Sequence, residues 1–239
     1  KGWDGEVWHP ELAVITLTAD SGQTDDEDST TTEATDYTIK AMNGAHILYQ
    51  CVTDRSWGRG YDRARIDETS WLATAQKLYD EGFGLCIAWK RQDTLEAFVG
   101  QVVKHIGATM FVSRETGLLE LRLIRDDYDP DTIPHFTYDS GLLALSDPET
   151  ATLADAVGEV IVKYHDPATD KDLQVRAQNL AVIQSGEGIN SQNVSYQGLP
   201  TQALASRVAL RDLKAQSAET SRYKVKLDRR AWRIYPGAV

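Results

Sequence analysis

Apolar positions recur at helical spacing in two stretches of the chain. Trp71, Leu72, Ala75, Leu78 and Tyr79 fall on one face of a helix from about Ser70 to Glu81, and Gly82 stands where a left-handed cap ends it. Leu95, Phe98, Val99, Val102, Val103 and Ile106 repeat the pattern from Thr94 to Ile106. There Asp93 is placed as the cap, Glu96 as its capping-box partner and Gly107 as the stop. Strand-like alternation surrounds these helices. Glu11 to Ala19 is rich in Val, Ile and Thr and reads as a strand. Met110 to Ser113 and Leu118 to Ile124 flank Glu115-Thr116-Gly117 as a hairpin, with Leu119, Leu121 and Leu123 on one face and Glu120 and Arg122 on the other.

The rest of the pattern gives an α+β chain, helices packed on or flanking partly antiparallel sheets. Val157 to His165 and Asp172 to Gln178 pair across the polar turn Asp166 to Lys171. A helix from about Gln202 to Gln216 follows Pro200-Thr201, and Tyr223, Val225 and Leu227 then alternate with charged residues as a strand. Ala45 to Val52 is apolar enough for a buried helix or strand, and periodicity does not choose between them. Trp57-Gly58-Arg59-Gly60-Tyr61 marks a turn. Asp20 to Asp36 holds almost nothing apolar and reads as a flexible loop, and the acidic, Pro-punctuated Asp126 to Pro134 interrupts regular structure.

Composition narrows the classes. At 239 residues the chain buries a sizeable core as one large domain or two small ones. No apolar run approaches the roughly 20 residues of a membrane helix. The net charge of −11 opposes binding of nucleic acid by phosphate neutralisation. The most basic run, Arg222, Lys224, Lys226, Arg229, Arg230 and Arg233, reads as a solvated face. Cys51 and Cys86 sit in apolar runs without metal or redox spacing, as buried free thiols of a protein made in a reducing cytoplasm. The chain opens at Lys1 without an initiator Met and reads as a piece of something longer.

Candidate chemistry is sparse. Asp127, Asp129 and Asp131 have the alternating spacing that begins a calcium loop, but Thr132 stands where the sharp-turn Gly belongs and Tyr138 where the bidentate Glu belongs. They are weak metal candidates, and the same holds for Asp25 to Asp28 on their loop. Thirty-six acidic residues offer many carboxylate pairs, but sequence does not supply the separation that glycoside hydrolysis needs. Ser185-Gly186-Glu187-Gly188 is no nucleophile elbow, and His9, His46, His105, His135 and His165 are scattered. His105 falls in the last turn of its helix, where a cation complements the dipole. The helix, helix, hairpin order from Ser70 to Ile124 suggests a winged-helix DNA reader, yet the second helix exposes Glu96, Gln101 and Lys104 with few other cations. A structural module is the better reading, with no catalytic residue and no cofactor.

Met42-Asn43-Gly44-Ala45-His46-Ile47-Leu48-Tyr49, then Thr53-Asp54-Arg55-Ser56-Trp57-Gly58-Arg59-Gly60, then Leu78-Tyr79-Asp80-Glu81-Gly82-Phe83-Gly84-Leu85 resemble, in that order and spacing, the central region of the tail-tip (baseplate hub) protein of long-tailed bacteriophages and gene transfer agents. The likeness continues through Phe98, His105-Ile106, Phe111-Val112, Thr116-Gly117 and Leu123 to Asp129, then Val157 to Tyr164 and Arg207, Arg211 and Asp212-Leu213. Trp3-Asp4-Gly5 with Trp8 and Pro10 fits the family's lead-in. Gly44 departs from it, standing where the family has Pro, which loosens the turn; Ser21 to Asp36 resembles a variable insertion.

The resemblance implies a trimeric structural component of a phage, prophage or gene-transfer-agent tail tip, with hub subdomains built partly as β-barrels. Such a hub joins the tail tube to the central fibre or host-contacting apparatus, and its channel opens for DNA ejection. Its partners are itself and other tail-tip and tail-tube proteins, with no sequence-specific nucleic acid and no membrane insertion by this segment. Its place is the virion tail, after synthesis in the bacterial cytoplasm. The expected division is 1–40 as an N-terminal strand and acidic loop continuing a preceding hub domain, 41–135 as a helical and hairpin subdomain, and 136–239 as a β-rich subdomain with one helix. Trp57, Arg59, Tyr61, Trp232 and Tyr235 are the interface candidates, since interfaces favour aromatics and Arg. Other classes for a tail protein are a cell-wall-degrading domain and a host-receptor or carbohydrate-binding domain. The full-length gene is expected to be several times longer and to neighbour tape-measure and tail-assembly genes; sequencing its surroundings checks this, and an isolated short gene sinks it.

Overall fold

A computed structural model describes residues 7–19, 37–89, 93–127, 129, 131, 133–150, 156–185, 189–217 and 221–236. The acidic loop at Asp20 to Asp36, including Asp25 to Asp28, the lead-in Trp3-Asp4-Gly5 and the string Gly186-Glu187-Gly188 lie outside these residues. The first expected strand begins as a helical turn, α1 (Pro10–Ala13), because Pro10 supplies a preset φ at its start, and only then becomes β1 (Val14–Ala19). β1 pairs antiparallel with β2 (Tyr37–Asn43), and β2 with the short β3 (Gly84–Leu85).

β2 runs directly into α2 (Gly44–Thr53), so the ambiguous apolar run is a helix. Eight of its ten residues are buried, and so short and apolar a run fits a helix and a buried strand alike. Asn43 makes the junction. Its side-chain oxygen accepts from the Ala45 N–H (3.0 Å), and its amide donates to the carbonyls of Leu12 (3.0 Å) and Ala75 (2.8 Å), joining α1, α2 and the next helix. Gly44 is a site of close packing. A Cβ at that position would lie 2.6 Å from Ile106 Cγ2, so the absent side chain lets α2 approach the helix that holds Ile106.

α3 (Glu68–Asp80) starts two residues earlier than its apolar face suggests, because Asp67 accepts from the Ser70 N–H at 3.0 Å. α4 (Leu95–Ile106) is capped by Thr94, whose hydroxyl accepts from Ala97 N (3.2 Å). That corrects the expected cap at Asp93: Glu96 is then one position short of closing a capping box and faces Arg59 at 3.6 Å. Gly82 and Gly107 end the two helices in left-handed conformations (φ 59° and 64°). The hairpin is β4 (Ala108–Val112) with β5 (Leu119–Leu123), and α3 is fastened to it by Trp71 Nε1 on Leu119 O (2.9 Å) and Thr74 Oγ1 on Leu121 O (2.9 Å). Trp71 and Thr74 thus bury polar atoms with their hydrogen bonds satisfied.

Further on, β6 (Leu142–Thr150) pairs with the distant β10 (Ser221–Leu227), and β7 (Glu159–Asp166) forms the centre of a sheet ordered β8-β7-β9. β8 (Lys171–Gln178) is antiparallel to β7 as expected, whereas β9 (Ser191–Ser195), reached through α5 (Leu180–Ser185), is parallel to it. α6 (Gln202–Ser217) lays Leu204, Ala205, Val208, Ala209 and Leu213 across β7 and β8, against Val160, Val162, Val175 and Ala177. The chain is therefore α+β, with helices packed on small, mostly antiparallel sheets. Among the described residues the sheets stay open, partial counterparts of the barrels that the resemblance implies. One cluster of buried side chains extends from Leu12 to Leu213.

Gly44→Ala should destabilise the fold by about 1–3 kcal/mol, since overpacking at a fixed helix contact displaces Ile106. Urea denaturation of both proteins measures it, and an unchanged midpoint would show that the contact yields without cost.

Candidate functional site

The helix ends near the middle of the molecule converge on three arginines. Arg125 forms a two-pronged pair with Glu81 (Nε to Oε1 2.9 Å, Nη2 to Oε2 2.8 Å) and donates through Nη1 to the carbonyls of Ile106 (3.1 Å) and Ile124 (3.0 Å). Arg211, on α6, donates to the carbonyls of His105 (3.0 Å) and Lys104 (3.4 Å) and, through Nε, to the Asp212 carboxylate at 2.9 Å. Arg207, one turn earlier, donates to Glu81 O at 2.7 Å. These guanidinium groups satisfy carbonyls that a helix leaves unpaired at its C-terminus and oppose the negative end of its dipole. α3 and α4 are thereby joined to α6.

His105 is not the cation at this helix end. Its ring is 1 % exposed, Nδ1 lies 2.7 Å from Gln101 O, and Nε2 accepts from Gly198 N–H at 3.2 Å. That pattern fixes the neutral tautomer with the proton on Nδ1. Burial, with Arg211 and Lys104 nearby, pushes its pKa down to about 4. The dipole is met by Arg125 and Arg211 instead. Beside the imidazole, Tyr196 donates its hydroxyl to Asp212 at 2.5 Å, and burial together with that hydrogen bond raises the phenol's pKa.

The Thr53 to Gly60 block is the stop of α2. Asp54 Oδ1 accepts from the Ser56 N–H, the Ser56 hydroxyl and the Trp57 N–H (2.7, 2.7 and 3.1 Å), while the N–H groups of Arg59 and Tyr61 return to the carbonyls of Cys51 and Val52 (both 2.9 Å). Any Cβ at Gly58 would lie within 3 Å of three backbone oxygens, and Gly60 sits at φ 64°. The block's spacing is that of a backbone turn, and the chemistry in it is used locally. Cys51, beneath the turn, is a free thiol that burial pushes up to about 12, and Cys86 is also free.

The five interface candidates fall in two groups. Trp57, Arg59 and Tyr61 are exposed on the turn after α2, where Trp57 leans on Trp89 (centroids 5.7 Å) and Trp89 on Phe98 (6.3 Å). Trp232 and Tyr235 belong to the segment that follows β10. Tyr235 stacks on Phe111 (4.8 Å, 5°) with Arg122 over its ring at 4.7 Å, so this residue covers the hairpin face expected to be solvated. Glu120 is consequently buried and paired with Arg122 at 2.9 Å, beside a cleft of about 240 Å³. Trp232 remains 44 % exposed.

The three aspartates are not gathered as a ligand set. Asp127 pairs with Lys77 (2.5 Å), which holds its carboxyl below the usual range, and Asp129 accepts from the backbone N–H of Asp131 (3.0 Å). Among the described residues no group of three His, Cys, Asp or Glu is placed to hold a metal ion. Residues 95–239 match the model of a family described as "Putative phage tail protein". The chain belongs to this phage tail protein family. The match covers well over half of the tail protein, from α4 through the ribbon of β6 and β10, and begins after the Met42 to Leu85 blocks. A comparison with curated proteins returned no match. No helix among the described residues of the tail protein is long and apolar enough to cross a membrane.

Stability should fall with acid through His105. The unfolded chain binds that proton near pH 6.5 and the folded chain only near pH 4, so the neutral ring's contribution is complete above about pH 6.5 and is lost as pH falls towards about 4. The loss is on the order of 3 kcal/mol. Urea titrations at pH 7 and pH 5 compared with His105→Gln should show a shallower pH slope in the variant; parallel slopes would contradict the buried neutral ring. Arg125→Met should cost about 2–4 kcal/mol by stranding Glu81 and the helix-end carbonyl of Ile106, read from the same titrations at neutral pH.

Proposed function

We propose that the tail protein is a hub segment at the distal tip of the tail, a structural and non-catalytic part joining the tube to the central fibre or host-contacting apparatus as a trimer. The observation that carries this reading is the family match over 95–239, together with the tip-protein resemblance of the Met42 to Leu85 blocks. The fold supports it in what its polar groups do. Arg125, Arg207 and Arg211 close helix ends, Asp54 closes a turn, and Glu159 accepts from Ser191 (2.5 Å) and Gln178 (2.6 Å) across the β-sheet, which lowers its pKa. Each of these groups holds a piece of the fold in position. The acidic balance of −11 suits a part beside a DNA conduit, because a wall of like charge repels phosphate and does not retain passing DNA.

The reading is tested by placing an epitope in the Glu115-Thr116-Gly117 turn, where nothing crowds Gly117, and decorating purified particles with antibody for electron microscopy. Label at the distal end of the tail is expected. Label along the tube or at the head junction would overturn the hub position.

A further inference from the structure

The turn that stops α2 uses its backbone and Asp54 for its own fold, but leaves most of its cations unengaged. From 55 to 65 every second residue is a cation or an aromatic: Arg55, Trp57, Arg59, Tyr61, Arg63 and Arg65, separated by Ser56, Gly58, Gly60, Asp62 and Ala64. Four cations and one acid give the segment a net of +3 in a chain of −11, which leaves −14 on the remainder. Carboxylates are therefore plentiful. Yet among the described residues Arg55, Arg63 and Arg65 make no ion pair and no side-chain hydrogen bond, and Arg59 reaches only Glu96, at 3.6 Å. The acids nearest along the chain are occupied: Asp54 holds the turn, and Asp62 accepts from the Ala64 N–H at 3.1 Å.

The backbone gathers these side chains on a fixed support. Gly60 N–H donates to Asp54 O at 3.0 Å, and the chain folds back so that Arg55 lies against Gly60, its Cα and Cγ each 3.8 Å from where a Cβ would stand. All six residues are exposed. Trp57 is 38 % open and braced from one side by Trp89, while Tyr61 is 43 % open and touches no other ring among the described residues. Guanidinium groups give phosphate oxygens two parallel hydrogen bonds, and an exposed ring stacks on any unpaired base. Phosphate and base alternate along a single strand as cation and ring alternate here. A duplex keeps its base faces inside and offers the turn phosphate alone, against the repulsion of an acidic body.

We propose that turn 55–65 binds single-stranded nucleic acid without regard to sequence, with Arg55, Arg63 and Arg65 on phosphates and Trp57 and Tyr61 on bases. The site goes beyond the hub reading and does not depend on it. It also leaves duplex DNA free to pass.

Fluorescence anisotropy of a labelled oligothymidylate of about 12 nucleotides tests it on the 239-residue chain, with the same strand annealed to its complement for comparison. At low salt the single strand should bind at least tenfold tighter than the duplex, and its affinity should fall with salt on a log–log slope of about −2, as three phosphate contacts require. Arg63→Ala with Arg65→Ala should flatten that slope to about −0.7. Tyr61→Ala should weaken binding at least fivefold, whereas Tyr61→Phe, which keeps the ring, should bind as wild type; circular dichroism should be unchanged in all of them. No binding at low salt, a duplex bound as tightly as the single strand, or affinity indifferent to the arginine and tyrosine changes would each overturn the proposal. Self-association lost in these variants, with no oligonucleotide bound, would overturn it in favour of a protein contact. None of these results touches the distal label on the particle, so the site and the hub position fail separately.

Discussion

Unpaired carbonyls at the C-termini of α3 and α4 are the constraint around which the molecule is arranged. Each helix leaves acceptors that require donors when the end is not in water. Here the donors come from far along the chain: Arg125 from the strand exit after the hairpin, Arg207 and Arg211 from α6. The consequence is that α6 serves two masters, its apolar side lying on β7 and β8 while its arginines hold the ends of two helices that precede it by about a hundred residues. Removing Arg125 takes a donor from both the Glu81 carboxylate and the Ile106 carbonyl, whereas removing Arg207 or Arg211 takes donors chiefly from helix-end carbonyls.

The same constraint explains His105. A cation at the end of α4 is required, and two arginines already supply it, so a third charge in that space would meet repulsion. The imidazole is kept neutral and used as a donor to Gln101 and an acceptor from Gly198. Its position in the last turn made it look like the charge that the dipole wants. Only the packing of the Tyr196 and Gly198 segment against it reveals that it is buried.

What could be read from the sequence followed the range of the forces involved. The faces of α3 and α4, the hairpin and the β7–β8 pair were legible because their patterns are local and periodic. The identity of α2 was not, since a short run that is apolar at nearly every position fits a helix and a buried strand alike. Nor was Thr94 as the cap of α4: Asp93 and Thr94 are both good caps, and only geometry chooses. The close packing at Gly44 left no sign in the sequence, because the crowding comes from Ile106, 62 positions along. Of the interface candidates, Trp57, Tyr61 and Trp232 are exposed, whereas Tyr235 is engaged with Phe111 and Arg122. The parallel pairing of β9 with β7 left no signal, as it depends on a crossover and not on alternation.

The register of β6 with β10 has a topological consequence. Thr150 faces Ser221, so everything between them, the β7–β9 sheet and α6 included, leaves the ribbon and returns to it at one point. Such a lobe is an inserted cassette. It can be lengthened or exchanged without rethreading the rest of the chain, so long as the replacement brings donors like those of Arg207 and Arg211 back to the ends of α3 and α4, and the entropy of closing so long a loop grows only with the logarithm of its length.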